Sequence, residues 1–485
     1  MRHPILIATI AALTLSCSRT TEISESYPPI WPDYVGVTVP VNIAPMDFGA
    51  RDEACVKGLK VAVKDEDGRT VLSHRGKYAR FSISKWHKVL SANAGKSLTF
   101  EVSMLENGVW TSYRPFGMSI SRDSIDYGLT YRLIPPGYQS FGHMGLYERD
   151  LSSFRQRTLL DTRMVESGCI NCHTENRGDP DSYSFHIRGK HSATFMRHDG
   201  VEECLNTKTD ITGGFFVYPY WHPSGKYIAY STNATRQSFY TSADKTLEVY
   251  DEKSDVIVYC PQTHEILRPE ACNTDKFETK PTFSADGLKL YYCVSEPGIL
   301  PRDSKEMKYS ICSIDFNPED GTFGTKVDTL LSASALDRTF ISARPSYDGK
   351  YILVASADYG TFPLCHKEAD LWIYNLETGE YGPAGGINSD EGAESFHNWS
   401  SNSKWAVVSS RRDDGLHTRL YIAHMGPDGL FEKGFLLPQR NPGRYYYELI
   451  NSYNAPDFTT GPVRFNAQRA RKMIVSSERN NVTVR

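Results

Sequence analysis

From residue 34 onward, apolar positions recur at every second residue in short runs, broken by Gly, Pro, Asn and Asp. Alternation of that period marks half-buried strands, and the breaks carry turn chemistry. Residues 34–40, 59–63 and 70–72 open the series, with Glu66-Asp67-Gly68 turning a hairpin between the last two. Runs at 78–83, 97–105 and 127–134 follow, and Glu106-Asn107-Gly108 turns after the second of these. About seven short strands in residues 34–136 predict a β-sandwich-like domain. No catalytic grouping stands out in it; His74 and His87 read as surface or packing residues. Pro135-Pro136-Gly137-Tyr138 reads as a boundary.

Beyond Pro219 the pattern repeats itself. An aromatic residue, a tight turn and an alternating strand recur at Trp221-His222-Pro223-Ser224-Gly225-Lys226, Phe283-Ser284-Ala285-Asp286-Gly287, Pro345-Ser346-Tyr347-Asp348-Gly349-Lys350 and Trp399-Ser400-Ser401-Asn402-Ser403-Lys404. Gly225, Gly287, Gly349 and Ser403 follow at intervals of 62, 62 and 54 residues, and a weak fifth copy lies at 454–458. A second strand begins 22 residues after each of the three glycines, at Leu247, Tyr309 and Leu371. A unit of this kind cannot bury both its faces alone, so neighbours must stack, and four-stranded units of this length are propeller blades.

The repeat aromatic-Ser-x-Asp-Gly-Lys followed by a Tyr-Ile-x-Tyr-like strand resembles that of the TolB-type β-propeller family. The resemblance covers residues 219–480 and is strongest in the second and third copies; Ser224 replaces Asp in the first, and Asn402-Ser403 replaces Asp-Gly in the fourth. It implies a propeller over residues 181–485. Counting the histidine-rich hairpin at 185–198 as the remaining blade gives six, the usual number for that family. The expected fold is therefore all-β, a sandwich-like domain followed by a six-bladed propeller.

Composition narrows the function classes. The chain has 485 residues, room for two or three domains. Its 54 basic and 58 acidic side chains nearly cancel, which leaves no basic field for nucleic acid. Arg2 and His3 precede an apolar run at 5–15, too short to span a membrane and fitting the core of a signal peptide. Leu13-Thr14-Leu15-Ser16-Cys17 resembles a bacterial lipobox, with Thr14 where Leu is usual. Residues 1–17 are thus expected to be a lipoprotein signal ending at a lipidated Cys17, and the Pro-rich 18–33 a tether. The expected location is the bacterial cell envelope, lipid-anchored to a membrane, periplasmic or on the outer-membrane surface.

The sharpest chemical signal is Cys169-Ile170-Asn171-Cys172-His173, the C-x-x-C-H spacing of c-type haem attachment, within a junction segment at 137–180. Cys169 and Cys172 would form thioethers to one haem c, and His173 would bind the iron. The rival reading makes Cys169, Cys172 and His173 three of four zinc ligands. For a second iron ligand, His143, Met144, His186, His191, Met196 and His198 are near in sequence; His191, just past a turn, is preferred, then His186. Among the other cysteines, Cys260 and Cys272 flank a loop and are the better disulfide pair, while Cys293 and Cys312 read as small buried residues. No Gly-x-Ser-x-Gly elbow, Walker loop or His-Glu-x-x-His occurs, and His397 and Asp370 read as structural. The expected function is electron transfer or redox sensing by a membrane-anchored monohaem protein, with the propeller docking a redox or envelope protein. Alternatives are a non-catalytic TolB-like scaffold with structural haem or zinc, and a haem peroxidase.

Overall fold

The structure, a computed structural model, describes residues 21–134, 143–166, 168–213, 216–240, 247–449, 451–476 and 478–485. The expected signal peptide, Cys17 and the 135–138 boundary lie outside the described residues. Among the described residues no helix is long and apolar enough to cross a membrane.

The N-terminal region holds a seven-stranded mixed sheet and a two-stranded one, Ile30–Trp31 paired with Gly49–Ala50. Its long central strands, Val56–Lys64 and Ser97–Glu106, pair antiparallel from Val56↔Glu106 to Lys64↔Thr99. The second layer is in part a helix, Ile83–Ala92, where the sequence pattern predicts only a strand ending at 83. Trp86 and Leu90, four residues apart, share one face and are buried in the same core as Val63, Leu98 and Phe100. A helix thus shares the second layer, where the sequence pattern predicts strands alone.

Six further sheets of four or five strands follow, each with mainly antiparallel pairing. Their first strands are Ser452–Thr459, Cys169–Asn176, Val217–Trp221, Phe277–Phe283, Thr339–Pro345 and Glu394–Trp399. Each of these touches the next in that order, and the last touches the first, so they close a cycle. Every one carries a residue at positive φ where its pairing register shifts: Ala455 (49°), Cys172 (51°), Tyr218 (51°), Lys280 (49°), Ser342 (61°) and Phe396 (49°). These six bulges put the repeat, half-hidden in the sequence, into one structural register.

The first sheet is assembled from both halves of the chain. Gly128–Ile134, read from the sequence as the last strand of the N-terminal domain, pairs with Gly145–Asp150 on one side and with Ser452–Thr459 on the other. The two regions therefore meet between Ser121 and Gly128. The strand Gly145–Asp150 and its partner Gln156–Asp161 likewise belong to a sheet, not to a junction. His424 of the sixth sheet clasps the N-terminal region: its Nε2 lies 3.1 Å from Ser121 Oγ and 3.2 Å from Asp123 Oδ2.

The repeated turns show why glycine recurs. Gly287 N–H donates to the Ser284 carbonyl at 3.0 Å with φ at 79°, and Gly349 N–H donates to Ser346 at 3.0 Å with φ at 73°. A Cβ at Gly287 would lie 2.2 Å from Nε2 of the buried His222, whereas one at Gly349 would meet only Ala285 Cβ at 3.6 Å. Gly287→Ala is therefore expected to cost about 2–4 kcal/mol and Gly349→Ala only the conformational ~1–2 kcal/mol. Chemical denaturation of the two variants side by side checks the order.

Cys55, Cys169, Cys172, Cys204, Cys260, Cys272, Cys293 and Cys312 are free thiols. The candidate bridge between Cys260 and Cys272 is not formed: Cys260 is half-buried beside Gln262, while Cys272 is buried in a short helical turn. Cys293 and Cys312 are buried and unbridged, as their reading as packing residues anticipates. Cys293 pairs with Ile311 and Cys312 with Tyr292, so the two thiols are one register step apart and face opposite sides of the sheet.

Candidate functional site around Cys169–His173

The C-x-x-C-H motif does not form a loop between domains. It lies in the first strand of the second sheet, at the centre of the cycle. Cys169 pairs with Arg188 and Asn171 with His186; the register then slips at Cys172 and resumes at Thr174↔Ser184. The backbone is extended across the motif apart from the left-handed Cys172.

His173 sits between two cavities. On one side is a narrow apolar space of about 20 Å³ lined by Leu146, Leu159, Leu160, Phe185 and Phe465. On the other is a polar cavity of about 60 Å³, open to solvent. Both ring nitrogens of His173 are buried and lack a well-formed hydrogen bond, the Thr130 backbone being a poorly aligned partner. Burial, then the Arg132 guanidinium, lower its pKa from 6.5 to about 4, while the Thr130 backbone opposes the change, so the imidazole is neutral at pH 7. His397 holds the same place in the sixth sheet, one residue past the bulge, but its Nε2 donates to the Leu353 carbonyl at 2.8 Å. The position suits a packing histidine. What distinguishes His173 is that it makes no bond of that quality.

A c-type haem requires two thiols, an imidazole with an available nitrogen, an apolar slot and cationic partners for two propionates. Cys169 and Cys172 are free thiols close enough to interact electrostatically, with burial raising Cys172 and Arg188 and Arg132 opposing that rise. Arg132 forms no ion pair among the described residues, and its Nε is buried without a partner. Of these, Cys169, Cys172, His173 and Arg132 supply two thiols, an imidazole and one cation, while the apolar space beside them is smaller than a haem. Zinc is served less well: among the described residues no three His, Cys, Asp or Glu side chains converge as metal ligands, so Cys169, Cys172 and His173 do not form a nest.

The other candidate ligands are dispersed. His186 Nδ1 lies 3.0 Å from Thr194 Oγ1, and burial pushes its pKa down to about 3. His191 is buried with unpartnered nitrogens, but it lies beyond Arg188, at the Cys169 end of the sheet. Along an extended strand that end is roughly 13 Å from His173, so the fold does not bring the two imidazoles together. His143 is bonded to Asp161, and His198 to Gln262 at 2.9 Å. Met144 and Met196 are buried among apolar neighbours.

The polar cavity holds residues that motif reading does not single out. Two residues past each bulge stand Thr174, Tyr220, Thr282, Arg344, Asn398 and Asp457, one per sheet. Asp457 accepts from Asn398 Nδ2 at 2.6 Å and from the Glu175 N–H at 3.0 Å. Burial raises both acids, Asp457 to about 6 and Glu175 well above the usual carboxylate range. Four of the six lie five residues before Gly225, Gly287, Gly349 and Ser403, a fixed offset that aligning the repeats exposes.

A pH prediction follows from the buried histidine of the sixth sheet. Burial lowers His397 from 6.5 to about 3. Below pH 6.5 the unfolded chain takes up a proton that the folded chain refuses, so stability falls as pH drops from 6.5 towards 3. His397→Phe is expected to flatten that limb of the stability curve, measured by urea unfolding at several pH values.

No family model matches this chain. No curated protein matches it either. Among solved structures it is similar to prolyl oligopeptidase B from Galerina marginata, at 13% identity and TM-score 0.36, over 63% of this chain and 44% of that one. It is similar to Porphyromonas gingivalis dipeptidyl peptidase 4 at 10% identity and TM-score 0.30, over 73% and 60%. A DUF4784 family protein from Bacteroides caccae is similar at 9% identity and TM-score 0.30, over 74% and 96%. The chain spans under half the length of the oligopeptidase it matches.

Proposed function

We propose that this chain is an envelope-anchored monohaem c-type protein, with its haem carried at the centre of a TolB-like six-bladed propeller, and that it exchanges single electrons with a protein docked on that propeller. The observation that carries the reading is His173: a buried, neutral imidazole with no well-formed hydrogen bond, next to two free thiols at haem-attachment spacing. The six sheets with cyclically adjacent first strands support the six-bladed arrangement.

In this reading Cys169 and Cys172 would hold the haem through thioethers, His173 would bind its iron, and Arg132 would offer a cation to a propionate. The haem supplies one-electron chemistry. The protein's own residues fix and tune it: the leucine and phenylalanine walls exclude water, and burial keeps His173 deprotonated and ready to ligate. The lipobox-like sequence at Cys17 would keep the docking face near a membrane.

The extended backbone of the motif favours a second reading, a non-catalytic binding propeller in which Cys172 and His173 are packing residues. Spectra of the protein produced with haem-attachment machinery separate the two. A covalent haem titrating reversibly with one electron supports the first. Turnover of peroxide would instead indicate a peroxidase. A colourless, stably folded protein leaves the binding propeller.

A further inference from the structure

We propose that the exposed basic face formed by the helix Ala467–Ser476 and the edge strand Gln156–Asp161 docks a partner protein through an acidic patch on that partner. The proposal rests on the reading of the propeller as a docking platform, and it names the face and the partner's chemistry.

The face is continuous over the first and second sheets. Ala470 and Ile474 of the helix share one core with Leu159 of the edge strand and with Val463 and Phe465. Leu159, Val463 and Phe465 also line the apolar space beside His173. Arg157 Nη2 donates to the Val463 carbonyl at 2.7 Å, and Arg471 Nε donates to the Met164 carbonyl at 2.9 Å, beside Arg163. A partner seated here would therefore rest on the outer side of the wall that closes the space beside His173.

Arginine dominates the face, and the countercharges lie beneath it. The side chains of Arg157, Arg163, Arg464 and Arg469 are 43%, 74%, 70% and 62% exposed, whereas their partners Glu148, Asp161, Asp181 and Glu202 are 5%, 7%, 31% and 3% exposed. Arg471 and Lys472 are exposed and form no ion pair among the described residues. At the margin Glu166 is matched by Lys190 at 2.9 Å. Six outward cations over four sunken carboxylates leave the face positive on a chain whose net charge is -4. Guanidinium forks suit the carboxylates of a protein surface, and charge of this kind steers and orients a partner. A membrane is served less well. The apolar side of the helix, Ala470 and Ile474, is already buried in the protein, and no large hydrophobic side chain from 463 to 476 is exposed, so nothing is left to insert between lipids.

Fluorescence anisotropy of labelled poly-L-glutamate tests this, on protein made with and without haem-attachment machinery. Vesicles of phosphatidylcholine and phosphatidylglycerol in equal parts are the rival probe. Poly-L-glutamate is expected to bind both forms with a Kd of about 100 μM or tighter in about 0.02 M salt, weakening at least tenfold by about 0.3 M. Arg471→Glu together with Lys472→Glu is expected to weaken it at least tenfold, while Lys350→Glu, on an exposed turn of the fifth sheet, changes it less than twofold. If the reversed pair does not fold, Arg471→Gln with Lys472→Gln reads the same point and should bind at least threefold more weakly. Because the colourless form is measured too, absence of haem and absence of docking are read separately. No binding of poly-L-glutamate, equal weakening by Lys350→Glu and by the reversed pair, or binding of the vesicles alone through Arg471 and Lys472 overturns the proposal.

Discussion

The chain carrying both Cys169→Ser and Cys172→Ser, made alongside haem-attachment machinery, is expected to emerge fully folded and without covalent haem. The wild type made in parallel should retain the chromophore through denaturing electrophoresis. The effect is all or none because thioether formation needs the sulfur itself, and serine offers no substitute. The fold should tolerate the change. Both side chains are only partly buried, neither is bridged, and the strand Cys169–Asn176 is held by its backbone pairing to Asp179–Arg188. Melting curves of the two colourless forms, the double variant and wild type made without the machinery, should agree within about 1–2 kcal/mol. His173→Ala is expected to leave the thioethers in place and change the iron's absorption bands, which separates attachment from ligation.

The second large effect concerns closure. A chain ending at Leu449 is expected not to fold cooperatively. It would lack Ser452–Thr459, which supplies the first strand of the first sheet and pairs along Gly128–Ile134 from Gly128↔Thr459 to Ile134↔Ser452. Removing it strips a row of buried backbone groups of their partners and opens the cycle. It also removes Tyr453 and Phe458, both at most 2% exposed, from the core that joins the sixth sheet to the N-terminal region. The lost burial alone is worth about 3–6 kcal/mol, a large share of what a protein has to spare. Circular dichroism with limited proteolysis checks this; a truncated chain that melts as sharply as the full one contradicts it.

The sequence made the repeating region legible because each unit carries its own turn. Ser284-Ala285-Asp286-Gly287 and Ser346-Tyr347-Asp348-Gly349 bond identically, Ser Oγ to Asp Oδ1 at 2.5 and 2.6 Å, so local chemistry sets the period. The second sheet shows only its 185–198 hairpin in the sequence, because its first hairpin turns at Arg177-Gly178, without the Ser-x-Asp-Gly signal. The first sheet escapes it because its strands come from opposite ends of the chain. No local pattern tells Gly128–Ile134 that its partner lies more than three hundred residues away. The helix Ile83–Ala92 is short, with only Trp86 and Leu90 buried, and its period is lost among neighbouring strands.

The site was legible in part. Cys169, Cys172 and His173 announce themselves by spacing, whereas Arg132, Glu175, Arg344 and Asp457 are ordinary residues in sequence and become a site only when the cycle closes. His191 shows the opposite failure. Nearness in the chain favours it as a ligand, but hairpin geometry carries it to the far end of the strand.

The central claim is a haem on this strand, and the most direct test is mass spectrometry of the proteolytic peptide containing residues 169–173, from protein purified with its haem-attachment machinery. The account predicts one haem on that peptide, bonded through both Cys169 and Cys172. A peptide recovered at its unmodified mass, with both thiols free to alkylate, contradicts it.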